Sequence, residues 1–221
     1  MTATLVLADN QPIALRGLRA LLAQDFDVIG ETTDGLETVK VVESEQPDVL
    51  VLDLEMPGLI GFEVAKRVRR VSPHTHIVIY SGHGAWPYIQ RAFEECEVMA
   101  YVHKDDDDEC IVDALSRVLS GERYLSPTVM NVPRDQTTSD LDVYLRLYDN
   151  LTDTEKELLH PLAEGYTAAQ IAELRVVEES TIRTHIEHMK DKLNLSGERM
   201  SLDTLRRVAR LCMTLGNRSL L

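Results

Sequence analysis

The stretch Asp48-Val49-Leu50-Val51-Leu52-Asp53-Leu54-Glu55-Met56-Pro57-Gly58 runs from a short apolar segment directly into a carboxylate. Residues 48–52 have the length and apolar character of a strand buried in a parallel sheet. Four further segments read the same way: Thr4–Ala8, Asp27–Glu31, His76–Tyr80 and Val98–Val102. Between them the apolar residues recur at helical spacing. One set is Ile13, Leu15, Leu18, Leu21 and Leu22; another is Val64, Val68 and Val71; a third is Ile111, Leu115, Val118 and Leu119. Strands alternating with helices imply a parallel sheet covered on both faces. The expected fold class of residues 1–121 is therefore α/β, a doubly wound five-stranded parallel sheet. Such folds bind ligands at the carboxyl ends of their strands.

Chemistry-bearing side chains fall at those ends. Asp9 and Asn10 follow the first strand, Asp53 the third and Ser81 the fourth, and Lys104 stands two residues past the fifth. Parallel strands bring these positions to one edge. Aspartates, a hydroxyl and a lysine together suit Mg²⁺ and a phosphoryl group. The metal wants hard oxygen ligands, an aspartate can accept a phosphoryl group as nucleophile, and hydroxyl and ammonium donors stabilise its charge.

Beyond Gly121, which closes the last helix, residues 122–148 mix Pro127, Pro133, Ser, Thr, Asp and Asn with little periodicity and read as a linker. Residues 149–221 read as a small all-α domain. Thr152-Asp153-Thr154-Glu155 and Thr167-Ala168-Ala169-Gln170 are capping boxes that start two helices, the first ended by Gly165. A third helix spans about 179–193, with Ile182, Ile186, Met189 and Leu193 on one face, and a fourth spans roughly 202–215. Two short capped helices joined by a tight turn fit a helix-turn-helix, whose second helix enters the DNA major groove.

Charge is distributed unevenly. The chain carries a net −14. Residues 1–138 hold 23 acidic and 12 basic side chains, residues 139–221 hold 14 and 11. The second region is thus nearly balanced but is no basic patch, which argues against strong non-specific DNA binding. The three cysteines, Cys96, Cys110 and Cys212, form no C-x-x-C pair and read as reduced helix residues. The histidines form no metal-spaced cluster. No apolar run is long enough to span a membrane, and Thr4–Ala8 lacks the length and basic flank of a signal peptide. The expected location is the cytoplasm.

Residues 1–120 resemble a response-regulator receiver domain of the flavodoxin-like fold. The resemblance rests on Ala8-Asp9-Asn10-Gln11-Pro12, Leu52-Asp53-Leu54-Glu55-Met56-Pro57-Gly58, Tyr80-Ser81-Gly82 and Tyr101-Val102-His103-Lys104, in that order. It implies Asp53 as phosphoacceptor, Ser81 as switch hydroxyl, Lys104 as the ammonium pairing with the phosphoryl group and Tyr101 as switch aromatic. Gly82 leaves room for that group. Asp9, Asp53 and the backbone carbonyl of Glu55 would hold Mg²⁺. One residue departs from the pattern. Members of the family usually carry two acids after strand one, and here the second is Asn10. An amide keeps an oxygen but removes a negative charge, so the site should hold Mg²⁺ more weakly. Losing an acid beside Asp53 also lowers like-charge repulsion. His83 and His103 read either as surface loop histidines or, for His83 with Glu55, as groups that tune phosphoryl hydrolysis. Asp105–Glu109 reads as the acidic start of a helix.

Residues 151–195 resemble the LuxR/NarL-type DNA-binding domain through Leu151–Glu155, Leu162–Gly165, Ile171–Leu174, Ser180–Ile186 and Lys192-Leu193. By the family pattern Arg183, Thr184 and Glu187 sit where base edges are read, with Ser180, Thr181 and Lys190 on the same surface. Arg can bridge guanine O6 and N7, and Glu can accept from cytosine N4; a solvated helix face is the plainer reading of Glu187. Thr181, His185, Lys190 and Lys192 read as phosphate-contacting or packing residues. Glu178 and Glu179 would face DNA phosphates and lower affinity. Leu205, Val208, Leu211 and Leu215 form a stripe for dimer contact or for packing within the domain.

The resemblance implies a DNA-binding transcription regulator, not an enzyme. A sensor histidine kinase or small phosphodonor would phosphorylate Asp53 and so control homodimerisation and promoter binding. The alternative is a regulator whose weakened site leaves DNA binding independent of phosphate. A hydrolase using Asp53 as nucleophile would want a substrate pocket and a second acid that this pattern lacks.

Overall fold

The computed structural model describes residues 2–134 and 148–193, with Ser201, Leu202, Leu205, Arg206 and Ala209. The chain divides into two compact units, Met1–Thr137 and Thr138–Leu221.

In the first unit, β1 (Thr4–Ala8), α1 (Pro12–Leu22), β2 (Asp27–Thr32), α2 (Gly35–Glu45), β3 (Val49–Leu52), α3 (Gly61–Val71), β4 (His76–Ser81), α4 (Trp86–Glu95), β5 (Ala100–His103) and α5 (Asp108–Leu119) alternate as expected. All strand pairs are parallel, in the order β2-β1-β3-β4-β5 and then a sixth strand, β6 (Tyr124–Leu125). The order reverses between β1 and β3. A crevice forms there at the carboxyl ends, and Asp9 and Asp53 are the residues that follow those two strands. The strands are buried on both faces because successive side chains alternate. Leu5, Leu7, Val49 and Val51 join Leu15, Leu18, Ile111 and Leu115 of α1 and α5 in one core. Val6, Leu50, Leu52, Ile77 and Ile79, also buried, belong to the other face.

The five expected strands are joined by a sixth. The segment read as linker carries β6 (Tyr124–Leu125) and α6 (Pro127–Met130), and β6 pairs with β5 through Ala100↔Tyr124 and Tyr101↔Leu125. Tertiary bonds hold it. Buried Ser126 donates its N–H to the Tyr101 carbonyl and accepts the His103 N–H on Oγ, both at 3.0 Å. Gly121, at φ +82°, reverses the chain after α5, a conformation that glycine adopts without a Cβ clash.

The acidic run opens a helix in its second half only, with Asp107 as N-cap and Asp108 and Glu109 in the first turn. The helix α5 begins only at Asp108. Asp106 precedes it and accepts the Thr128 hydroxyl at 2.6 Å, tying the β5–α5 loop to α6.

In the second unit, α7 (Asp153–Ala163), α8 (Ala168–Arg175) and α9 (Glu179–Lys192) follow. Both capping boxes form. Thr152 and Glu155 exchange bonds at 2.7 and 3.3 Å, and Thr167 and Gln170 at 2.9 and 3.3 Å. Ile182, Ile186 and Met189 of α9 are buried, as are Leu158, Leu159 and Leu162 of α7 and Ile171 of α8. Of the expected fourth helix, Leu205 is buried, and Val208, Leu211 and Leu215 lie outside the described residues.

Candidate functional site

The crevice between β1 and β3 concentrates charge in a buried place. Backbone bonds fix its corners. Asp53 donates its N–H to the Ala8 carbonyl at 2.9 Å, Asp9 donates to Thr32 at 3.1 Å, and Lys104 donates to Ser81 at 3.0 Å. Each site residue is thus held by the strand next to its own. Asp9, Asp53 and Ser81 are almost wholly buried, at 1%, 2% and 0% exposure. The Lys104 ammonium bridges the acids, 2.7 Å from Asp9 Oδ2 and 2.9 Å from Asp53 Oδ2.

One cation serves two buried acids, and the titration of the site reflects it. Burial drives the Asp9 pKa above its ordinary value, with Asp53 adding to the rise and Lys104 opposing it. Burial alone would lower the Lys104 pKa, but Asp53 and Asp9 outweigh it and raise it.

Three oxygens point to a further cation. Asn10 Oδ1 and Asp53 Oδ1 are buried with no hydrogen-bond donor, and Asp9 Oδ2 has only the ammonium. Buried oxygens without donors are costly unless something satisfies them. Hard oxygens in this arrangement fit Mg²⁺. Among the described residues no group of three or more His, Cys, Asp or Glu side chains is placed to hold a metal. The carboxylates here number two, and the neutral Asn10 stands where a third would complete the set.

Around the acids lies a ring of ordered groups. Tyr101 is fully buried; its hydroxyl donates to the His83 carbonyl at 2.5 Å, and burial, with Tyr88 and Asp53, raises its pKa well above the ordinary value. A Cβ built on Gly82 would meet nothing within 4 Å, so the space beside it is open. His83 is not a free surface histidine. Its ring stacks on Tyr88 with centroids 4.6 Å apart, and its Nε2 lies 2.7 Å from Glu55 Oε1. His103 is buried too. Its Nδ1 accepts the Asp105 N–H at 3.2 Å and its Nε2 donates to the Gly82 carbonyl at 3.0 Å.

Two glycines shape the site, Gly58 at the end of the Asp53 motif and Gly61, which no motif singled out. A Cβ on Gly61 would sit 2.4 Å from the Asp53 carbonyl oxygen, so only glycine lets α3 start against the Asp53 backbone. Gly58 has φ +76°, and a Cβ there would sit 2.6 Å from Asp34 Oδ2, the carboxylate that caps α2. A glycine shortly after a strand-end acid is the signal that could have found them.

In the second unit, the residues expected to read DNA lie on the outer face of α9. Ser180, Thr181, Arg183, Thr184 and Glu187 are exposed and Lys190 is half-buried. They are not all free. Arg183 Nε donates to Glu179 at 2.8 Å, Lys190 donates to Glu187 at 2.6 Å, and the Thr184 hydroxyl bonds the Ser180 carbonyl at 3.0 Å. Lys192 pairs with Glu155 at 2.7 Å and so fastens α9 to the start of α7.

Comparison with known proteins matches this division. The response regulator receiver domain profile matches residues 5–116. The profile of bacterial regulatory proteins of the luxR family matches residues 149–202. The nitrate/nitrite response regulator protein NarL of Escherichia coli K12 is 30% identical over 195 residues, covering 87% of this chain and 90% of its own length.

The chain is a LuxR-family response regulator.

Transcriptional regulatory protein DesR of Bacillus subtilis is 31% identical to the regulator over 194 residues, 87% of this chain and 90% of its own. A crystal structure of a LuxR-family two-component response regulator from Aurantimonas sp. SI85-9A1 superposes with a TM-score of 0.56 at 30% identity. It covers 59% of this chain and 94% of that one. Structures of RcsB from Salmonella typhimurium share the fold over 93% of this chain and 97% of theirs, at 22% identity and a TM-score of 0.56. The regulator thus joins a receiver to a LuxR-type DNA-binding domain, and its relatives are transcriptional regulators. Among the described residues no helix is long and apolar enough to cross a membrane.

Proposed function

We propose that the regulator is switched by phosphorylation of Asp53, from a sensor histidine kinase or a small phosphodonor in the cytoplasm, and that the switch controls homodimerisation and promoter binding. The observation that carries this is the buried Lys104 bridge between Asp9 and Asp53, at 2.7 and 2.9 Å. Asp53 Oδ1, buried and without a donor, is the oxygen left to attack phosphorus. The oxygen–phosphorus bond forms as the donor's bond to phosphorus breaks. Lys104 then moves from a carboxylate to the new phosphoryl oxygens, and Ser81 offers its hydroxyl to another. That hydroxyl accepts the His83 N–H at 3.3 Å before the switch, and Tyr101 bonds the same residue's carbonyl, so one loop senses both. His83 and Glu55 stand at the mouth of the site and govern water access to the phosphoryl group. Asp9, Asp53, the Glu55 carbonyl and, more weakly, Asn10 would hold Mg²⁺, which when bound neutralises charge on the transferring group. In the second unit Arg183, Thr184 and Glu187 read bases from α9, supported by Ser180, Thr181 and Lys190. The boundaries 1–121, 122–148 and 149–221 then separate switch, linker and output, with β6 and α6 as the part of the linker that reports on β5.

The test is incubation with acetyl phosphate and Mg²⁺ followed by intact-mass analysis. Wild type gains one phosphate and Asp53→Ala none, and the treated wild type binds its promoter more tightly.

Asn10 favours a second reading, in which the site charges poorly and DNA binding is independent of phosphate. No mass gain, together with equal promoter affinity of wild type and Asp53→Ala, would establish that reading and overturn the first.

A further inference from the structure

The first unit carries a groove that the acidic site does not use. Helices α4 and α5 and the β6–α6 segment enclose about 670 Å³, lined by Trp86, Ile89, Phe93, Tyr124, Leu125 and Met130 among others. That volume lies in the range of small-ligand sites, about 300–1,000 Å³. Met130, 67% exposed, is one apolar wall.

Two guanidiniums, Arg117 and Arg123, line the groove and a third, Arg134, lies over its Trp86, each on an aromatic face. Arg117 lies 5.5 Å from the Tyr124 centroid, Arg123 5.7 Å from Phe93 and Arg134 5.0 Å from Trp86. A guanidinium stacked this way keeps its N–H edge available for a carboxylate. Two rim acids are already engaged. Asp113 takes Arg117 at 3.0 Å, and Glu94 takes the Gln90 amide at 3.1 Å. Arg123 and Arg134 meet no carboxylate at ion-pair distance among the described residues. In a region with 23 acidic and 12 basic side chains, Arg123 lines an apolar groove held by the Phe93 face and by no acid among the described residues, which leaves its N–H edge open to an anion.

We infer that this groove binds a small amphipathic carboxylate, its acid on Arg123 and its apolar body lying along α4 towards Trp86 beneath Arg134. Phe93 and Trp86 are seven residues apart on α4, about 10 Å at 1.5 Å per residue, so the body is of that length. The engaged acids Glu94 and Asp113 at the rim disfavour a polyanion, and one carboxylate answers one guanidinium bidentately.

Trp86 is the chain's one tryptophan, so its indole N–H gives a single resonance that reports on the groove. The experiment titrates the full ¹⁵N-labelled chain with para-butylbenzoate, para-butylbenzyl alcohol and para-butylbenzylamine. The expected result is a saturable Trp86 shift with the benzoate, and binding about tenfold weaker for the alcohol and amine. Arg123→Gln should bring the benzoate down to the alcohol while leaving the alcohol response unchanged, which also shows that the variant is folded. Equal binding of all three compounds, or an Arg123→Gln variant that still prefers the benzoate, overturns the proposal. So does a Trp86 resonance that follows protein concentration and none of the compounds, which would assign the groove to a second copy of the chain.

Discussion

Each unit of the regulator has a buried carboxylate beside a lysine. Asp9 and Glu155 are both 1% exposed, and each lies 2.7 Å from its ammonium, Lys104 or Lys192. Their pKa values nevertheless move in opposite directions. Burial raises that of Asp9, because Lys104 is shared with Asp53 and only the Gln11 N–H otherwise serves it. Burial also acts on Glu155, but the Lys192 bond and the Thr152 backbone and hydroxyl bonds overcome it and lower its pKa. One acid lacks donors and the other has enough. A buried acid short of partners marks a site prepared for a ligand. A satisfied one is a staple between helices.

The largest break in this comparison comes from Lys104→Met. It leaves two buried acids with no cation, at a cost of about 3 kcal/mol at neutral pH, measured by urea unfolding. Adding Asp53→Asn should recover most of that loss, since one of the two charges goes. A single variant as stable as wild type would remove the ammonium from the account of the site. The pH course of Asp9 follows from the sign of its shift. Folded Asp9 holds its proton where the unfolded chain has lost it, so its contribution to stability falls as pH rises from about 4 through its raised folded value. Against Asp9→Asn, wild type should therefore lose ground over that window.

Glu155→Ala should cost about 2 kcal/mol, through the capping box and the Lys192 pair. Its pH course runs the other way. The contribution is complete above the ordinary glutamate value, about 4.3, and disappears as pH falls through the lowered folded value. If unfolding curves of Glu155→Gln and Asp9→Asn shift alike with pH, the contrast between the two acids fails.

Asn10→Asp sharpens the comparison by adding charge where the site already has too much. Mg²⁺ affinity should rise on the order of tenfold by calorimetry. Stability without the metal should fall by about 1 kcal/mol as repulsion grows. Unchanged affinity would show that the amide oxygen already serves as well as a carboxylate.

Much of this is legible in the sequence. Strands 4–8 and 49–52 announce themselves because both faces are buried and, after Thr4, every residue is apolar. The acids at their ends follow from the parallel order, and both capping boxes from residue type and spacing. What escaped depended on contacts distant in sequence. Two residues, Tyr124 and Leu125, are too few to show a period, and β6 exists because Ser126 bonds Tyr101 and His103. The settings of His83 and His103 leave little local trace, since Glu55 reaches His83 from the segment after β3 and the Gly82 carbonyl reaches His103 from the segment after β4. Gly61 is required by the Asp53 carbonyl, which only the fold brings near.

The smallest effect concerns the exposed face of α9. Arg183 is 71% exposed and holds Glu179 one turn earlier. Such an i, i+4 surface pair is worth roughly 0.3 kcal/mol to the fold, so Glu179→Ala should leave the unfolding midpoint almost unchanged. Its effect on DNA should be larger than its effect on stability. The change frees a guanidinium and removes a negative charge that would face phosphates, and promoter affinity should rise about threefold, with a steeper dependence on salt. Glu187→Ala frees Lys190 by the same logic but removes a candidate acceptor for cytosine, so affinity should rise while preference among operators weakens. Where the receiver is short of partners for its acids, α9 pairs its cations with its own acids. Gel-shift titrations of the two variants against promoter and random DNA separate charge from readout, and equal gains on both DNAs for Glu187→Ala would remove that residue from the bases.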